Sequence, residues 1–358
     1  MQIGFDIQQD EAIANTMQVS ALAGRYLQVF DVPAALKNGA ICTDWLADPQ
    51  TLIVGGGSNI LFVRAQIDKV VHLAAATFGY VDELNTVLVW AEGGLGFDDW
   101  VRWTTHQGWY GLECLAEIPG TVGAAPIQNV GAYGVQLSDV LVSVDVWDRV
   151  QQSRSVLPAA ACDFGYRQSC FKTESHRWFI LRVTVRLRKT PAPDWPRLSY
   201  PGLVQAADVY MAESQRPLAL LTPHDLAQVV TRVRRQKLPD WREPRLGSLG
   251  SFFQNPVVLN SFAATLKARW PDLPVYPQGA NNAPMGEAKL SAAWLIEQAG
   301  WRGFSHNNAG IYARHALVLV NLGGATGADL WGLAQRIQAD VFARYGVRLV
   351  PEPLIINN

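Results

Sequence analysis

Ser251, Arg167 and Glu352 each stand in a setting that could carry chemistry. Ser251 lies in RLGSLGSFFQNP, residues 245–256, where the density of small residues reads as the floor of a site. No G-x-S-x-G surrounds it, so a hydrolase nucleophile elbow is unsupported. Arg167 sits between aromatics in a polar connection, Tyr166-Arg167-Gln168-Ser169-Cys170-Phe171. Such an arginine can be a surface ion pair, a stacked side chain or a fixed positive charge aimed at an anion. Glu352 is the one carboxylate of an apolar tail, VRLVPEPLII, and stands between two prolines. A carboxylate there is either on a solvated turn or a buried acid with a raised pKa.

Two glycine-rich stretches suit a bulky anionic ligand. Residues 51–63, TLIVGGGSNILFV, read as strand, turn, strand. Backbone N–H groups of Gly55, Gly56, Gly57, Ser58 and Asn59 could form an anion-holding nest, with the Ser58 hydroxyl as a further donor; a plain tight turn is the alternative. Ile60 stands where a dinucleotide fingerprint needs its last glycine, so that motif is absent. Residues 111–139, GLECLAEIPGTVGAAPIQNVGAYGVQLSD, are too broken for a long helix and too apolar for a solvated loop. Glycine lets backbone approach something bulky, which is either a ligand or another part of the protein. Arg232, Arg234, Arg235 and Lys237 end a predicted helix. They either complement its C-terminus or grip a diphosphate.

The elements that must position these groups follow from local signals. Phe97, Trp100, Val101 and Thr104 mark one face of a helix over 97–107, stopped by Gly108. Thr222-Pro223-His224-Asp225 opens another, with Leu226, Val229, Val230 and Val233 as its buried stripe. Residues 286–298 read as a helix ended by Gly300, and residues 276–285 as a loop. Thr326 caps the last helix, with Leu330, Leu333, Ile337, Val341 and Phe342 inward and Gly346 as the stop. Strands are expected over 86–91, 140–148, 178–187 and 316–321, and a turn with an exposed tyrosine at Ser199-Tyr200-Pro201-Gly202.

Composition narrows the classes. The 358 residues suffice for two or three domains. Thirty basic and 31 acidic residues leave a net charge of -1, which gives nucleic acid or an anionic membrane no electrostatic footprint. No apolar run nears the ~18 residues of a membrane span, and MQIGFDIQQDEAI lacks the order of a signal peptide. Cys42, Cys114, Cys162 and Cys170 lack CxxC spacing and read as free thiols of a reducing cytoplasm. No metal-ligand spacing, P-loop or zinc-protease motif occurs, so no metal is expected.

In chain order, GGGSN at Gly55, IPGTVGAAPIQNVGAYG at Ile118, YRQSCF at Tyr166, KLPD at Lys237, GSFFQNP at Gly250, the expected helix of Lys289 and PEP at Pro351 resemble the MurB family. These are the UDP-N-acetylenolpyruvoylglucosamine reductases of peptidoglycan synthesis, and the likeness spans nearly the whole chain. The resemblance implies an α+β, three-domain FAD-binding fold of the vanillyl-alcohol-oxidase/PCMH type with a MurB C-terminal substrate domain. The implied domains are 1–72 with 347–358 and 73–237, which hold the flavin, and 238–346 for substrate. Tyr200 and its following segment suggest the family's longer type, in which a tyrosine loop folds over bound substrate.

The same resemblance implies non-covalent FAD, NADPH as electron donor and UDP-N-acetylglucosamine enolpyruvate as the molecule reduced to UDP-N-acetylmuramate in a bacterial cytoplasm, by a monomer. It assigns Arg167, Ser251 and Glu352 to catalysis, with hydride from flavin N5 and the proton from Ser251. Flavin binding falls to Gly55, Gly56, Gly57, Ser58, Asn59, Ile118, Pro119, Gly120, Gly123, Ala124, Gln128, Asn129, Gly131, Ala132, Tyr133 and Gly134. Tyr200, Arg234, Lys237, Asn255, Tyr276 and Lys289 fall to substrate. Gln254 and Val350 depart from the lysine and acid common in those motifs, and Ala124 and Ala125 from a frequent serine. A flavin oxidase of the same fold, or a sugar-nucleotide-binding protein without catalysis, are the competing readings.

Overall fold

The computed structural model describes residues 4–193, 195, 202–243, 245–277 and 286–357. Tyr200 therefore lies outside the described residues. The chain divides into two compact units, one of residues 1–11, 23–56 and 67–236, the other of residues 12–22, 57–66 and 237–358. The elements mix helix and strand throughout.

The first unit is built on a five-stranded antiparallel sheet in the order Ser153–Pro158, Leu141–Asp148, Trp178–Arg188, Thr86–Glu92, Phe78–Asp82. Thr86–Glu92 alternates strictly, so Val87, Val89 and Ala91 all face one buried side. The helices Phe97–His106 and Pro223–Lys237 share that core. Phe97, Trp100, Val101 and Thr104 are buried, and Gly108 takes φ +77° just past the helix end. At the start of the second helix the Thr222 hydroxyl accepts from the Asp225 N–H at 3.1 Å while the Asp225 carboxylate accepts from the Thr222 N–H at 3.0 Å. A second core gathers Leu27, Val29, Val71 and Leu73 with Trp45, Trp147 and Phe179. The turn after Leu52–Val54, a strand parallel to Gln66–Leu73, carries Gly55 and Gly56.

The second unit carries an antiparallel sheet in the order Gly247–Ser251, Val318–Asn321, Ala309–Ile311, Ser305–His306. The helix Gly327–Tyr345 is closed by a Thr326–Asp329 capping box and by Gly346 at φ +67°. Leu330, Leu333, Ile337 and Val341 are inward, but Phe342 is 45% exposed and lies under the Arg348 guanidinium at 4.7 Å. One residue past Val341 is about 100° around the helix, which carries Phe342 off the stripe. A three-stranded sheet, Val257–Leu259, Glu287–Leu290, Val275–Pro277, corrects two further expectations. Residues 287–290 are strand rather than helix, because Glu-Ala-Lys-Leu alternates and buries Ala288 and Leu290 between two partner strands. The helix begins only at Ala292, where the Ser291 side chain accepts from the Trp294 N–H. Tyr276 likewise lies on a strand, not a loop.

Candidate active site

In the first unit, glycine serves close approach between two chain segments. A Cβ on Gly56 would stand 3.2 Å from the Gly120 Cα, and one on Gly55 would meet the Thr121 hydroxyl at 2.5 Å. Gly123 and Gly93 approach so closely that a Cβ on Gly123 would lie 3.0 Å from the Gly93 Cα. These glycines weld the GGG turn and Glu92–Leu95 region to the IPGTVG segment, so the neighbouring chain is what they admit. Gly134 differs: it takes φ +81° in open space, at the turn joining Gly131–Ala132 to Val135–Gln136.

Arg167 is docked onto this segment. Its Nη2 donates to the Gly131 carbonyl at 3.0 Å, the Asn129 Nδ2 donates to the Gly165 carbonyl at 3.2 Å, and the Ser169 hydroxyl donates to the Ile127 carbonyl at 2.7 Å. Lys172 Nζ closes the loop by donating to the Arg167 carbonyl at 2.9 Å. Asn129, Tyr133 and Arg167 all hold left-handed backbone, with φ of 43°, 52° and 55°. Such conformations cost about 1–3 kcal/mol each and persist where surrounding bonds over-determine them. Asn129 uses its side chain on this scaffold, its Oδ1 also accepting from the Ser138 N–H at 3.0 Å. Ser169 and Lys172, not expected from the sequence, hold the Arg167 loop; the helix-capping serine was the available sign.

The basic helix end resolves unequally. Arg232 pairs with Glu213 at 2.5 Å on the exposed face and stacks on Tyr210. Arg235 and Arg234 reach Glu117, the first through its carboxylate and the second through its carbonyl. Burial pushes the Arg234 guanidinium below its ordinary range; Arg167 adds to this, while Tyr133, Glu117 and Asp98 oppose it. Arg234, Arg167 and Tyr133 thus share one electrostatic neighbourhood.

The second unit places its groups by strand register. Between Ser248, opposite Val320, and Ser251, opposite Val318, the Gly247–Ser251 strand holds one extra residue. Gly250, at φ +72°, supplies the left-handed step of that bulge, a device that re-aims the next side chain. The strand continues as Phe252 and Phe253, both buried with rings at 5.1 Å. Phe253 pairs with Pro351, flanked by bonds from the Gln254 N–H to the Val350 carbonyl at 2.9 Å and from the Glu352 N–H to the Phe252 carbonyl at 2.8 Å. Proline fits because the pair is the non-hydrogen-bonded kind. Glu352, half-buried, thus stands one residue off Ser251 across the ladder. Val350 and Gln254 act here through backbone, which explains how the ladder tolerates both departures.

The tail also meets the turn of Gly57, Ser58 and Asn59. The Leu354 N–H donates to the Asn59 carbonyl at 2.9 Å, and Leu354–Ile356 runs parallel to Ile60–Phe62. Asn255, Tyr276 and Lys289 gather at the three-stranded sheet: Tyr276 pairs directly with Lys289, and the Asn255 Oδ1 accepts from the Ala292 N–H at 3.0 Å. Lys237 is exposed and lies within electrostatic reach of His315, whose pKa falls through burial first and then Lys237 and Arg302, with Glu297 opposing.

The donor set fits a flavin diphosphate. Residues 55–59 and 118–134 contain no charged side chain; beside their backbone amides, the side-chain donors are the neutral Ser58, Asn59, Thr121, Gln128, Asn129 and Tyr133. A carboxylate among them would repel the phosphates, and none is present. Fold and donor chemistry together define the class as a flavin-dependent enzyme. In keeping with that, residues 47–150 match the family described as FAD binding domain.

Residues 242–356 match the family described as UDP-N-acetylenolpyruvoylglucosamine reductase, C-terminal domain. A reductase of that name from Pseudomonas aeruginosa is 45% identical over 303 residues, which cover 84% of this chain and 85% of the relative. One from an Azoarcus strain is 42% identical over 350 residues, covering 96% and 95%. The crystal structure of the Thermus caldophilus reductase superposes with a TM-score of 0.64 at 21% identity, covering 99% of this chain and all of that one, and so shares the fold. The chain belongs to the UDP-N-acetylenolpyruvoylglucosamine reductase family.

Proposed function

We propose that this protein reduces UDP-N-acetylglucosamine enolpyruvate to UDP-N-acetylmuramate with NADPH, as a step of peptidoglycan precursor synthesis in a bacterial cytoplasm. The observation that carries the reading is the pairing of Phe253 with Pro351, which sets Glu352 beside the Ser251 strand within a reductase-family C-terminal domain. Bound FAD would supply the hydride chemistry between NADPH and the enolpyruvyl carbon. The segments 55–59 and 118–134 hold its diphosphate with neutral donors. Among the described residues no helix is long and apolar enough to cross a membrane.

Arg167 carries the fixed positive charge. Hydride addition at the vinyl carbon pushes electron density into the neighbouring carboxylate, and a guanidinium held rigid by packing offsets that charge without reorganising. Ser251 donates the proton to the ether-bearing carbon. An alcohol is a weak acid, but the carbanion-like centre is a strong base, and a neutral hydroxyl enters a dry site without the desolvation cost of a charge. Glu352 orients the substrate carboxylate or relays the proton back to Ser251. Arg234, Lys237, Asn255, Tyr276, Lys289 and, beyond the described residues, Tyr200 grip the diphosphate and uridine end. The domains are 1–72 with 347–358 and 73–237 for flavin, and 238–346 for substrate, in a monomer.

The test is product analysis. Incubated with NADPH and the enolpyruvyl substrate, the purified yellow protein should yield a UDP-sugar heavier by two hydrogen atoms, with NADPH consumed one for one. NADPH consumption that continues without that product, and only in air, would identify an oxidase instead.

A further inference from the structure

Glu117 lies just outside the neutral flavin stretch, and its carboxylate is shared by two arginines. It is 3% exposed and holds left-handed backbone at φ +63°. Its carboxylate accepts from Arg102 Nη2 at 2.7 Å and from Arg235 Nε at 3.0 Å. Its carbonyl accepts from Arg234 Nε at 3.3 Å, and its N–H donates to the buried Asp98 carboxylate. Asp98 in turn accepts from Arg102 Nε at 2.6 Å. One residue therefore joins the Phe97–His106 helix, the start of the flavin stretch and the end of the Pro223–Lys237 helix.

Asp98 and Glu117 both pair with Arg102, and Glu117 also pairs with Arg235. The carbonyl of Glu117 holds Arg234 at its Nε. Tyr133 and Arg167 are within electrostatic reach of that guanidinium.

We propose that Glu117 is a positioning residue that fixes Arg234, through its strained carbonyl and its clamp on Arg235, for the grip of Arg234 on an anionic group of the substrate. The proposal rests on the reductase reading above. Removing the Glu117 charge takes away the carboxylate that Arg102 and Arg235 share, and the end of the Pro223–Lys237 helix loses that tie to the Phe97–His106 helix. The strain at φ +63° serves this purpose, because a right-handed residue would turn the carbonyl away from Arg234.

Equilibrium titration of the oxidised holoenzyme with UDP-N-acetylglucosamine enolpyruvate, followed by the perturbed flavin absorbance, tests this without turnover. A lost hydrogen bond to a charged group corresponds to roughly tenfold or more in affinity. Glu117→Gln should therefore weaken substrate binding by about tenfold, with NADPH reduction of the flavin and FAD retention changed by less than about twofold. Arg235→Met, which breaks the clamp from its half-exposed side, should act in the same direction and is the second variant where Glu117→Gln fails to fold. Arg234→Lys should weaken binding on its own, and adding Glu117→Gln should cost little more, since both act through one group. Additive losses, or an equal loss of FAD affinity, would overturn the positioning role. A wild-type holoenzyme that binds no enolpyruvyl substrate would instead overturn the reductase reading, and Arg234→Lys without effect on binding would remove Arg234 from the substrate grip.

Discussion

The two units place their working residues by different physical means. In the first, Gly56 against Gly120 and Gly123 against Gly93 bring backbones closer than most Cβ atoms tolerate, and Arg167 hangs on that scaffold by bonds from Asn129, Ser169 and its own guanidinium. In the second, Ser251 and Glu352 are set by the ladder Phe253–Pro351 and the bulge at Gly250. The first arrangement is fixed by sterics and strained turns, the second by register. A flavin with its diphosphate needs a shaped, neutral cradle; a proton donor needs an aim, which one extra residue in a strand can supply.

That contrast can be broken most severely at Ser251. Ser251→Ala should slow reoxidation of the reduced enzyme by substrate by about 10²–10⁴-fold, the usual worth of a positioned proton donor, while NADPH reduction proceeds normally. Equal slowing of both halves, measured by stopped-flow absorbance, would deny Ser251 the acid role. Next in size is Gly123→Ala, whose Cβ meets the Gly93 Cα and carbonyl at 3.0 and 3.1 Å, atoms that cannot rotate away. It should destabilise by about 1–3 kcal/mol and lower FAD occupancy, read by thermal unfolding and by the absorbance ratio of flavin to protein. Gly250→Ala meets nothing within 4 Å but keeps φ +72°. The strain is about 1–2 kcal/mol, and relaxation of the bulge should reduce substrate turnover more than melting temperature. A variant equally unstable and equally active as Gly123→Ala would erase the distinction between the units.

The smallest effect is electrostatic. The His224 pKa is lowered by burial first, then by the stacked His106 ring and Arg102, with Asp225 opposing. The unfolded chain then takes the proton before the folded one as pH falls. The stability is complete above the unfolded histidine value of about 6.5 and is lost as pH drops through the native value. Melting temperature should fall between about pH 7 and 5, and His224→Gln should remove a part of that fall on the order of 2 °C, seen in thermal scans. His315 of the second unit carries the same sign.

Much of this was legible in the sequence where the signal is local. Thr222 and Asp225, or Thr326 and Gly346, mark helix ends because a cap needs only its neighbours. The neutral glycine-rich stretch and the small residues around Ser251 are also visible as composition. Residues 287–290 were misread because a four-residue alternation becomes a strand only when Val257–Leu259 and Val275–Pro277 flank it. Glu117 passed unnoticed because its role depends on Arg102 and Arg235, 15 and 118 residues away. The bulge at Gly250 is likewise a property of pairing with Val318–Asn321, which no single strand reveals.

The most direct measurement is anaerobic stopped-flow absorbance of the holoenzyme, reduced with NADPH and then mixed with UDP-N-acetylglucosamine enolpyruvate. The account predicts bleaching of the flavin by NADPH and rapid return of the oxidised spectrum on adding substrate, without oxygen. Reduction followed by no reoxidation until air is admitted would contradict it.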